Sequence, residues 1–498
     1  MIAHGLRPST TFPAFYRFRE VAGRVVVTNL EGGWLVLSAD EFRAFAEGTV
    51  DPTGELFRRL AAGNFVRASF DLEAAAERVR ARKRFLQHGP NLHILVVTLR
   101  CNQTCAYCQA SRADMGAAAV DMSVETADRA LERIFATTSP QVTIEFQGGE
   151  PLANFAVVRH VVEAALERNR TAHKQLDFSL VTNLSLMDED KLAYLLERRV
   201  QICTSIDGPA ELHDRQRKLA GGSSFAEAAR WIRRIGQAYA QAGLEPTLYH
   251  VEALLTVTRH TLPLWKEVVD SYVDLGCRAL FLRPVAPFGF ADRAAAELGC
   301  SARDYLIFYR QVVDRMLELN GQGVEILERY AALFLTKILA GEDPNFLDVR
   351  SPCGAGIGQL AYNYDGKVFT CDEGRMLHAM GESLCLLGDV ASSSYRELVG
   401  HETVRAMAIA SNLDGQPDCV TCAYQPYCGV CPVHSLRTQG SIFGRMSESS
   451  WCAVHKGIQD YLFERIGEGR PEVLDVFRRW TTRRSRDHFV HAGSGTEK

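Results

Sequence analysis

The sequence lacks any apolar run long enough to cross a membrane, since no stretch reaches the ~18 apolar residues that a spanning helix requires. It also lacks a marked charge excess, and a formal net charge of −4 gives no reason to expect nucleic acid as a partner. The first residues contain no apolar segment of signal-peptide length. We therefore predict a cytoplasmic protein whose partners include neither a membrane nor a nucleic acid.

Cysteine, by contrast, is abundant, with fourteen residues in a chain of 498. Disulfides are rare in the cytosol, so clustered cysteines in such a chain indicate a metal site or catalysis. Ten of the fourteen fall into clusters. We expect the other four to be small buried apolar residues, with a second role left open only for the last of them: Cys203, Cys277, Cys300 and Cys385.

The first cluster directly follows an apolar run, Leu92 to Val97, that is typical of a buried strand. Cys101, Cys105 and Cys108 stand there in the spacing C-x3-C-x2-C. A closed zinc site needs four ligands, whereas a [4Fe–4S] cluster on three cysteines keeps one iron open for a substrate or cofactor. The spacing therefore favours an open iron–sulfur cluster, and a structural cysteine cluster with a chance spacing is the alternative.

Residues 90–290 alternate between strand and helix patterns. The predicted strands are 92–98, 142–146, 178–182, 200–205, 249–257 and 279–285. Such alternation predicts parallel strands with helices outside them, and six units make an open, partial (β/α)6 TIM-like barrel of the α/β class. Polar residues recur at the carboxyl ends of the strands, where barrels of this kind place their chemistry.

Four further segments complete the predicted organisation. Residues 1–89 form a small α+β module, residues 291–350 a helical linker, residues 351–460 a cysteine-rich domain, and residues 461–498 a C-terminal helix and tail. A basic run that ends at Arg486 lies in this tail, and we expect it to be solvated.

The cysteine spacing, with the aromatic Tyr107 before the third cysteine, resembles that of the radical S-adenosylmethionine (SAM) superfamily. One strand–helix unit later, the sequence GGEP resembles the family loop that binds the SAM amino group. The resemblance implies that the three cysteines hold the SAM-binding [4Fe–4S] cluster. It also implies cofactor contacts at Tyr107, Gly148, Gly149, Glu150, Pro151, Asn183, Ser205, Asp207 and Arg217. For Ser205, Asp207 and Arg217, the alternatives are turn formation or a structural salt bridge.

A second set of cysteines fills residues 351–456 and includes the run C-x2-C-x5-C-x2-C. Its members are Cys353, Cys371, Cys419, Cys422, Cys428, Cys431 and Cys452. The residue types alone leave a zinc ribbon open, because C-x2-C pairs are the usual zinc spacing. The array, with a Gly-x4-Cys element from Gly366 to Cys371, resembles the SPASM domain of peptide-modifying radical SAM enzymes, which implies two auxiliary [4Fe–4S] clusters.

By that resemblance, the outer cluster is held by Cys419, Cys422, Cys428 and Cys452, and the inner one by Cys353, Cys371 and Cys431. In the sulfatase-maturing branch of the family, an additional cysteine lies between the positions of Cys353 and Cys371, and this chain lacks it. The inner cluster is therefore expected either to have an open iron or to borrow Cys385. Asp372, which follows Cys371, is implied as a catalytic proton acceptor, and a capping or hydrogen-bonding role is the alternative.

The resemblance implies an enzyme that cleaves SAM to a 5′-deoxyadenosyl radical and modifies a ribosomally synthesised peptide by C–H abstraction, giving a cross-link or another two-electron oxidation. The implied partners are a precursor peptide, a reductant such as flavodoxin or ferredoxin, and a second maturase of the same system. Two other functions stay open: a sulfatase-type formylglycine maturase, and a non-catalytic zinc or iron–sulfur scaffold.

The N-terminal segments YRF, VVVTN and GGWLVLS, with the later IEFQGGEPLANF, carry a closer resemblance to the maturases of His-Xaa-Ser-repeat peptide systems. The module of residues 1–89 also resembles the winged-helix modules that bind leader peptides, in which the peptide can add a strand to a sheet edge. A packing role alone is the alternative for this module.

Overall fold

The computed structural model describes residues 11–344, 346–482 and 487–492. The end of the basic run, at Arg486, lies outside these residues. No helix within them is both long and apolar enough to traverse a lipid bilayer.

The N-terminal module is a three-stranded antiparallel sheet with helices packed against it. Its elements are β1 (Arg17–Val21), β2 (Arg24–Thr28), β3 (Trp34–Leu37), α1 (Ala39–Glu47), α2 (Glu55–Ala62) and α3 (Leu72–Arg82). Val27, Leu37, Phe45 and Phe65 are completely buried and form its core. The module therefore has the α+β character that the sequence predicts.

The barrel is built from six parallel strands, each hydrogen-bonded to the next. They are β4 (Leu92–Thr98), β6 (Gln141–Gly148), β7 (Gln175–Val181), β8 (Gln201–Ser205), β10 (Glu252–Val257) and β11 (Ala279–Pro284), while β5 (Gln103–Cys105) and β9 (Arg217–Leu219) pair outside the sheet. Every predicted barrel strand overlaps an observed one. The open, partial (β/α)6 barrel predicted from the sequence is confirmed.

Helices cover the outside of the barrel and fill the segment that follows it. The barrel helices are α4 (Val124–Phe135), α5 (Phe155–Ala172), α6 (Glu189–Glu197), α7 (Ala210–Gln216), α8 (Ser224–Gln241) and α9 (Trp265–Asp274). The next elements are α10 (Gly289–Arg293), α11 (Ala295–Leu298), α12 (Ala302–Gly321), β12 (Leu327–Glu328) and α13 (Arg329–Leu335). Apolar residues at helical spacing, such as Ala127, Ala130 and Ile134 on α4, are buried against the sheet.

The cysteine-rich region continues the barrel sheet. Strand β13 (Gln359–Tyr362) pairs in parallel with β4, and β14 (Lys367–Phe369) and β15 (Leu386–Asp389) follow it as antiparallel neighbours. The remaining helices are α14 (Asp372–His378), α15 (Tyr395–Val399), α16 (Glu402–Ser411), α17 (Pro417–Val420), α18 (Pro432–Gln439), α19 (Ser450–Glu468) and α20 (Pro471–Thr481).

The N-terminal module docks on the loop that carries the outer cysteines. Arg17 Nε donates to the Val420 carbonyl at 2.7 Å, and Thr28 Oγ1 donates to the Ala423 carbonyl at 2.7 Å. In the opposite direction, the hydroxyl of Tyr427 donates to the Gly32 carbonyl at 3.1 Å. These bonds join residues 395 to 403 positions apart, so the module has a packing role whatever else it binds.

Candidate active site

The first three cysteines lie on a loop that is fixed by contacts on both sides. Cys105 pairs with Arg217 in the β5–β9 ladder. Arg100 holds Asp121 through two hydrogen bonds, from Nε at 2.8 Å and from Nη2 at 2.6 Å. A charged pair with this bidentate geometry fixes backbone position, so the loop presents its cysteines in a defined arrangement.

The thiols on this loop are largely buried. Burial raises the pKa of Cys101 to about 12 and that of Cys105 to about 11, and the charge of Cys108 adds to both shifts. Buried thiols of this kind become thiolates when a metal centre supplies compensating positive charge. Three adjacent thiols with no fourth residue from the motif fit a [4Fe–4S] cluster with one open iron.

Gly148 and Gly149 press directly on this loop. A Cβ on Gly148, whose φ is +146°, would lie 2.0 Å from the Thr98 carbonyl oxygen, and one on Gly149 would lie 2.4 Å from the carbonyl oxygens of both Leu99 and Arg100. The Gly149 amide donates to Thr98 at 2.9 Å. Both glycines are therefore required for the close approach of the GGEP loop to the cysteine loop.

Glu150 is completely buried and connects the loops that follow the second and third barrel strands. Its carboxylate accepts from Thr182 Oγ1 at 2.6 Å, from the Asn183 amide at 2.7 Å and from the Leu152 amide at 3.0 Å. Three of roughly four acceptor positions are thus used by the protein itself. Pro151 begins a short buried 3₁₀ turn. A contact between Glu150 and the SAM amino group stays a prediction.

Asn183 reaches the cysteine loop from the third strand. Its Nδ2 lies 3.8 Å from Cys101 Sγ and donates to Asn102 Oδ1 at 3.1 Å. Ser205, at the end of β8, lines the same central cavity. The structure therefore brings both of these sequence-predicted residues to the side of the barrel that carries the first cysteines.

Asp207, Tyr107 and Arg217 form a buried hub. Asp207 accepts from the Tyr107 hydroxyl, from Gln216 Nε2 at 3.0 Å and from Arg217 Nε at 3.2 Å. The Arg217 guanidinium also lies 5.2 Å from the centre of the Tyr107 ring. The salt-bridge role considered for Arg217 is present, and it holds the residue before Cys108 in place. Direct SAM contacts by these residues stay predictions.

A cavity of about 730 Å³ lies inside the barrel and is lined by the first three cysteines and by one cysteine of the second set, Cys431. Cys101 follows the carboxyl end of β4, and Arg375 on α14, close to the second cysteine set, donates from Nη1 to the Ala110 carbonyl at 3.5 Å, two residues after Cys108. The lining includes Cys101, Cys105, Cys108, Gly148 and Gly149 around the first cysteines, and Asp372, Glu373, Cys431 and His434 around the second cysteine set. Residues around both sets of cysteines therefore share one cavity.

The second set of cysteines divides into two groups in space. Burial raises the pKa of Cys428 above its usual range, and Cys422, Cys452 and Cys419 each add to the shift, which places these four together. Burial likewise raises the pKa of Cys371, with further contributions from Glu373, Cys385, Cys431 and Cys353. Among the described residues, no three His, Cys, Asp or Glu side chains converge on a point as ligands of a single metal ion would.

Asp372 is buried and lines the cavity. Its carboxylate accepts from Arg375 Nε at 2.7 Å, and the Arg375 side chain is only 3% exposed. The hydrogen-bonding role considered for Asp372 is therefore present, and a role as proton acceptor stays a prediction.

The sequence reasoning missed several charged cavity residues, among them Glu145 on β6 and Arg283 on β11. Burial, with a smaller contribution from Asp372, raises the pKa of Glu145. Arg283 Nη2 lies 3.5 Å from Asp348 Oδ2. The sequence could have indicated Glu145, because it stands between two apolar residues, Ile144 and Phe146, in a predicted barrel strand. Side chains alternate along a strand, so when the apolar neighbours face the surrounding helices the charged side chain faces the barrel interior.

Comparison with known proteins agrees with this architecture. Residues 95–251 match the sequence profile of the family described as the Radical SAM superfamily. The cysteine-type anaerobic sulfatase-maturating enzyme of Clostridium perfringens strain 13 is 24% identical over 398 residues, which cover 76% of this chain and 98% of that enzyme.

Two solved structures share the fold. Native anSMEcpe with bound AdoMet and Cp18Cys peptide superimposes with a TM-score of 0.63 at 21% identity, covering 78% of this chain and 100% of that one. Streptococcus suis SuiB bound to precursor peptide SuiA superimposes with a TM-score of 0.52 at 11% identity, covering 88% and 98%. The chain therefore contains a radical SAM domain at residues 95–251, and proteins of that superfamily use a [4Fe–4S] cluster and S-adenosylmethionine.

Proposed function

We propose that this radical SAM enzyme is a maturase that oxidises a peptide inside its barrel. The observation that carries the proposal is the continuous cavity of about 730 Å³ between the Cys101 loop and the second cysteine set. When bound, the cluster and SAM supply a 5′-deoxyadenosyl radical that removes a hydrogen atom from an unactivated C–H bond. A substrate held in this cavity could lose its hydrogen beside the first cysteines and deliver an electron towards the second cysteine set.

The chain's own residues would hold the substrate, exclude water and accept a proton. Glu145, Arg283 and Asp372 present charges to the cavity, and Arg375 fixes the orientation of the Asp372 carboxylate. A carboxylate at this position can take the proton released when a substrate radical is oxidised to an unsaturated or cross-linked product. We therefore retain Asp372 as the proposed proton acceptor.

The two spatial groups of cysteines support two auxiliary [4Fe–4S] clusters. The proposed outer ligands are Cys419, Cys422, Cys428 and Cys452, and the proposed inner ligands include Cys353, Cys371 and Cys431. Cys371 and Cys431 each accept a backbone hydrogen bond at the start of a helix, from Gly374 at 3.3 Å and from His434 at 3.4 Å. Helix N-termini stabilise negative charge, which favours thiolate ligands at these positions.

The proposed substrate is a ribosomally made precursor peptide. The solved relatives described above include one bound to a peptide and one bound to a precursor peptide, which supports this class of partner. A reductant such as flavodoxin or ferredoxin and a second maturase belong to the same proposal. The narrower assignment to a His-Xaa-Ser system rests on the sequence resemblance alone.

A second candidate function is formylglycine formation on a sulfatase. It is favoured by the alignment with the C. perfringens enzyme, which extends over 98% of that enzyme's length. Both candidates need the same cofactors, so only the substrate and the product separate them.

The test is an anaerobic assay of the full chain. Protein that holds three clusters should contain about 12 iron atoms, and addition of SAM and reductant should release 5′-deoxyadenosine. Candidate precursor peptides and sulfatase-derived peptides are then supplied in parallel, and the masses of the products are measured. Loss of about two mass units from a precursor peptide supports the first function, and formylglycine on a sulfatase peptide supports the second. Absence of 5′-deoxyadenosine would refute both.

A further inference from the structure

The inner group of cysteines contains a thiol that the family pattern does not supply. Cys353, Cys371, Cys385 and Cys431 belong to one buried cluster, packed with Phe288, Met376 and Met407. Cys385 itself is completely buried. We propose that Cys385 is the fourth thiolate ligand of the inner auxiliary cluster, an inference that rests on the auxiliary clusters proposed above.

The β14–β15 hairpin places Cys385 beside Cys371. Phe369 pairs with Leu386 across the hairpin, and the Thr370 amide donates to the Cys385 carbonyl at 3.1 Å. Cys385 therefore lies opposite Thr370, the residue directly before Cys371, and a sheet hydrogen bond holds the two segments together. This long-range pairing is independent of the motif that contains Cys371.

The Thr370 hydroxyl lies close to both thiols. Its Oγ1 donates to Cys371 Sγ at 3.7 Å. The same Oγ1 and Cys385 Sγ lie 3.1 Å and 3.2 Å from the position that a Cβ on Gly374 would take. Hydroxyl groups beside ligating sulfurs are the kind of neighbour that tunes an iron–sulfur cluster.

Gly374 provides the space that Cys385 occupies. A Cβ at Gly374 would lie 2.6 Å from Cys385 Cβ and 3.2 Å from its Sγ. Glycine in a helix costs about 1 kcal/mol relative to alanine, so its presence in the first turn of α14 needs a packing reason. Here the Gly374 amide donates to Cys371 Sγ at 3.3 Å while its missing side chain admits Cys385. Gly374 therefore donates a hydrogen bond to one thiol and leaves space for the other.

A fourth thiolate changes what the inner cluster can do. A cluster held by three cysteines has an open iron that could bind a substrate atom directly, whereas four thiolates close it. With Cys385 bound, the inner cluster would pass electrons without coordinating the substrate. The substrate would then be positioned by the cavity residues alone.

The test uses full-length variants purified and reconstituted without oxygen. Cys385→Ala and Cys385→Ser are compared with the parent and with Cys277→Ala, a buried cysteine of the barrel core. Iron and sulfide are measured per chain, and EPR spectra are recorded after reduction and after mild oxidation. A ligand role predicts that Cys385→Ala loses about four of about twelve iron atoms, or about one with a new [3Fe–4S] signal, while Cys277→Ala keeps all of them.

The serine variant covers the case in which alanine prevents folding. Serine is nearly isosteric and can ligate through oxygen, so the cluster should be kept with an altered EPR signal. Iron content and spectra of both Cys385 variants that match those of Cys277→Ala would overturn the inference and leave the proposed function standing. A parent protein with only about four iron atoms would overturn the auxiliary clusters and this inference together.

Discussion

The close contact between Gly149 and the cysteine loop leads to a sharp prediction for Gly149→Ala. The added Cβ would lie 2.4 Å from two backbone carbonyl oxygens, those of Leu99 and Arg100. Non-bonded atoms pack at about 3.5 Å, so the loop would have to retreat by about 1 Å. Overpacking of this kind costs about 1–3 kcal/mol.

The functional effect should exceed the effect on stability. A displacement of about 1 Å at reacting groups can reduce a rate by about 10²-fold, and here it would move the backbone just before Cys101. We expect Gly149→Ala to form 5′-deoxyadenosine about 10²-fold more slowly than the parent at equal protein concentration. Chemical denaturation should show a decrease in the free energy of unfolding within the range given above.

Gly236→Ala is the matched control. It makes the same substitution within α8, where a Cβ would meet no atom within 4 Å. Alanine should stabilise this helix by up to about 1 kcal/mol and leave SAM cleavage unchanged. If Gly149→Ala cleaves SAM at the parent rate with unchanged stability, the close packing of the two loops does not matter and the reasoning is wrong.

Three further predictions concern buried polar groups. Tyr107→Phe removes a donor to Asp207 and should lower the free energy of unfolding by about 1–3 kcal/mol in chemical denaturation. Arg375→Ala leaves Asp372 buried without its cation and should cost about 3–5 kcal/mol, whereas a loss below 1 kcal/mol would contradict the buried pair. Burial raises the pKa of Glu328 from 4.5 to about 7, so the native state keeps a proton that the unfolded chain releases. Its contribution to stability is complete below about pH 4.5 and is lost as the pH rises to about 7, and Glu328→Gln should flatten that part of the profile.

The fold and the first cysteine group could be predicted because their determinants are local. Apolar runs and helical periodicity mark each β/α unit, and the C-x3-C-x2-C spacing lies within eight residues. Cys385 is brought close to the segment that contains Cys371 by the pairing of β14 with β15. No short sequence motif contains both cysteines. Contacts of this kind depend on how the strands are arranged, which periodicity alone does not determine.

The roles of individual polar residues were harder to predict for a different reason. A motif indicates that Glu150 and Asp207 are needed, but burial and hydrogen bonding decide what they bind. Both are completely buried and accept several protein donors, so each holds neighbouring loops in place in addition to any contact with SAM. The residue type limits which groups these side chains can bind. The folded structure determines which of those groups they do bind.

The missing cysteine after Cys353 was the sequence argument against a sulfatase-type maturase. That argument counted the cysteines between Cys353 and Cys371, and it left open whether the inner cluster borrows Cys385. The structure packs Cys385 with these three, so a complete set of four thiols is available from a different part of the chain. The number of cysteines then no longer separates a precursor-peptide maturase from a sulfatase maturase. What separates them must be the barrel lining, where Glu145 and Arg283 present charge to whichever side chain enters, and exchanging these two residues is the direct way to test which substrate the cavity selects.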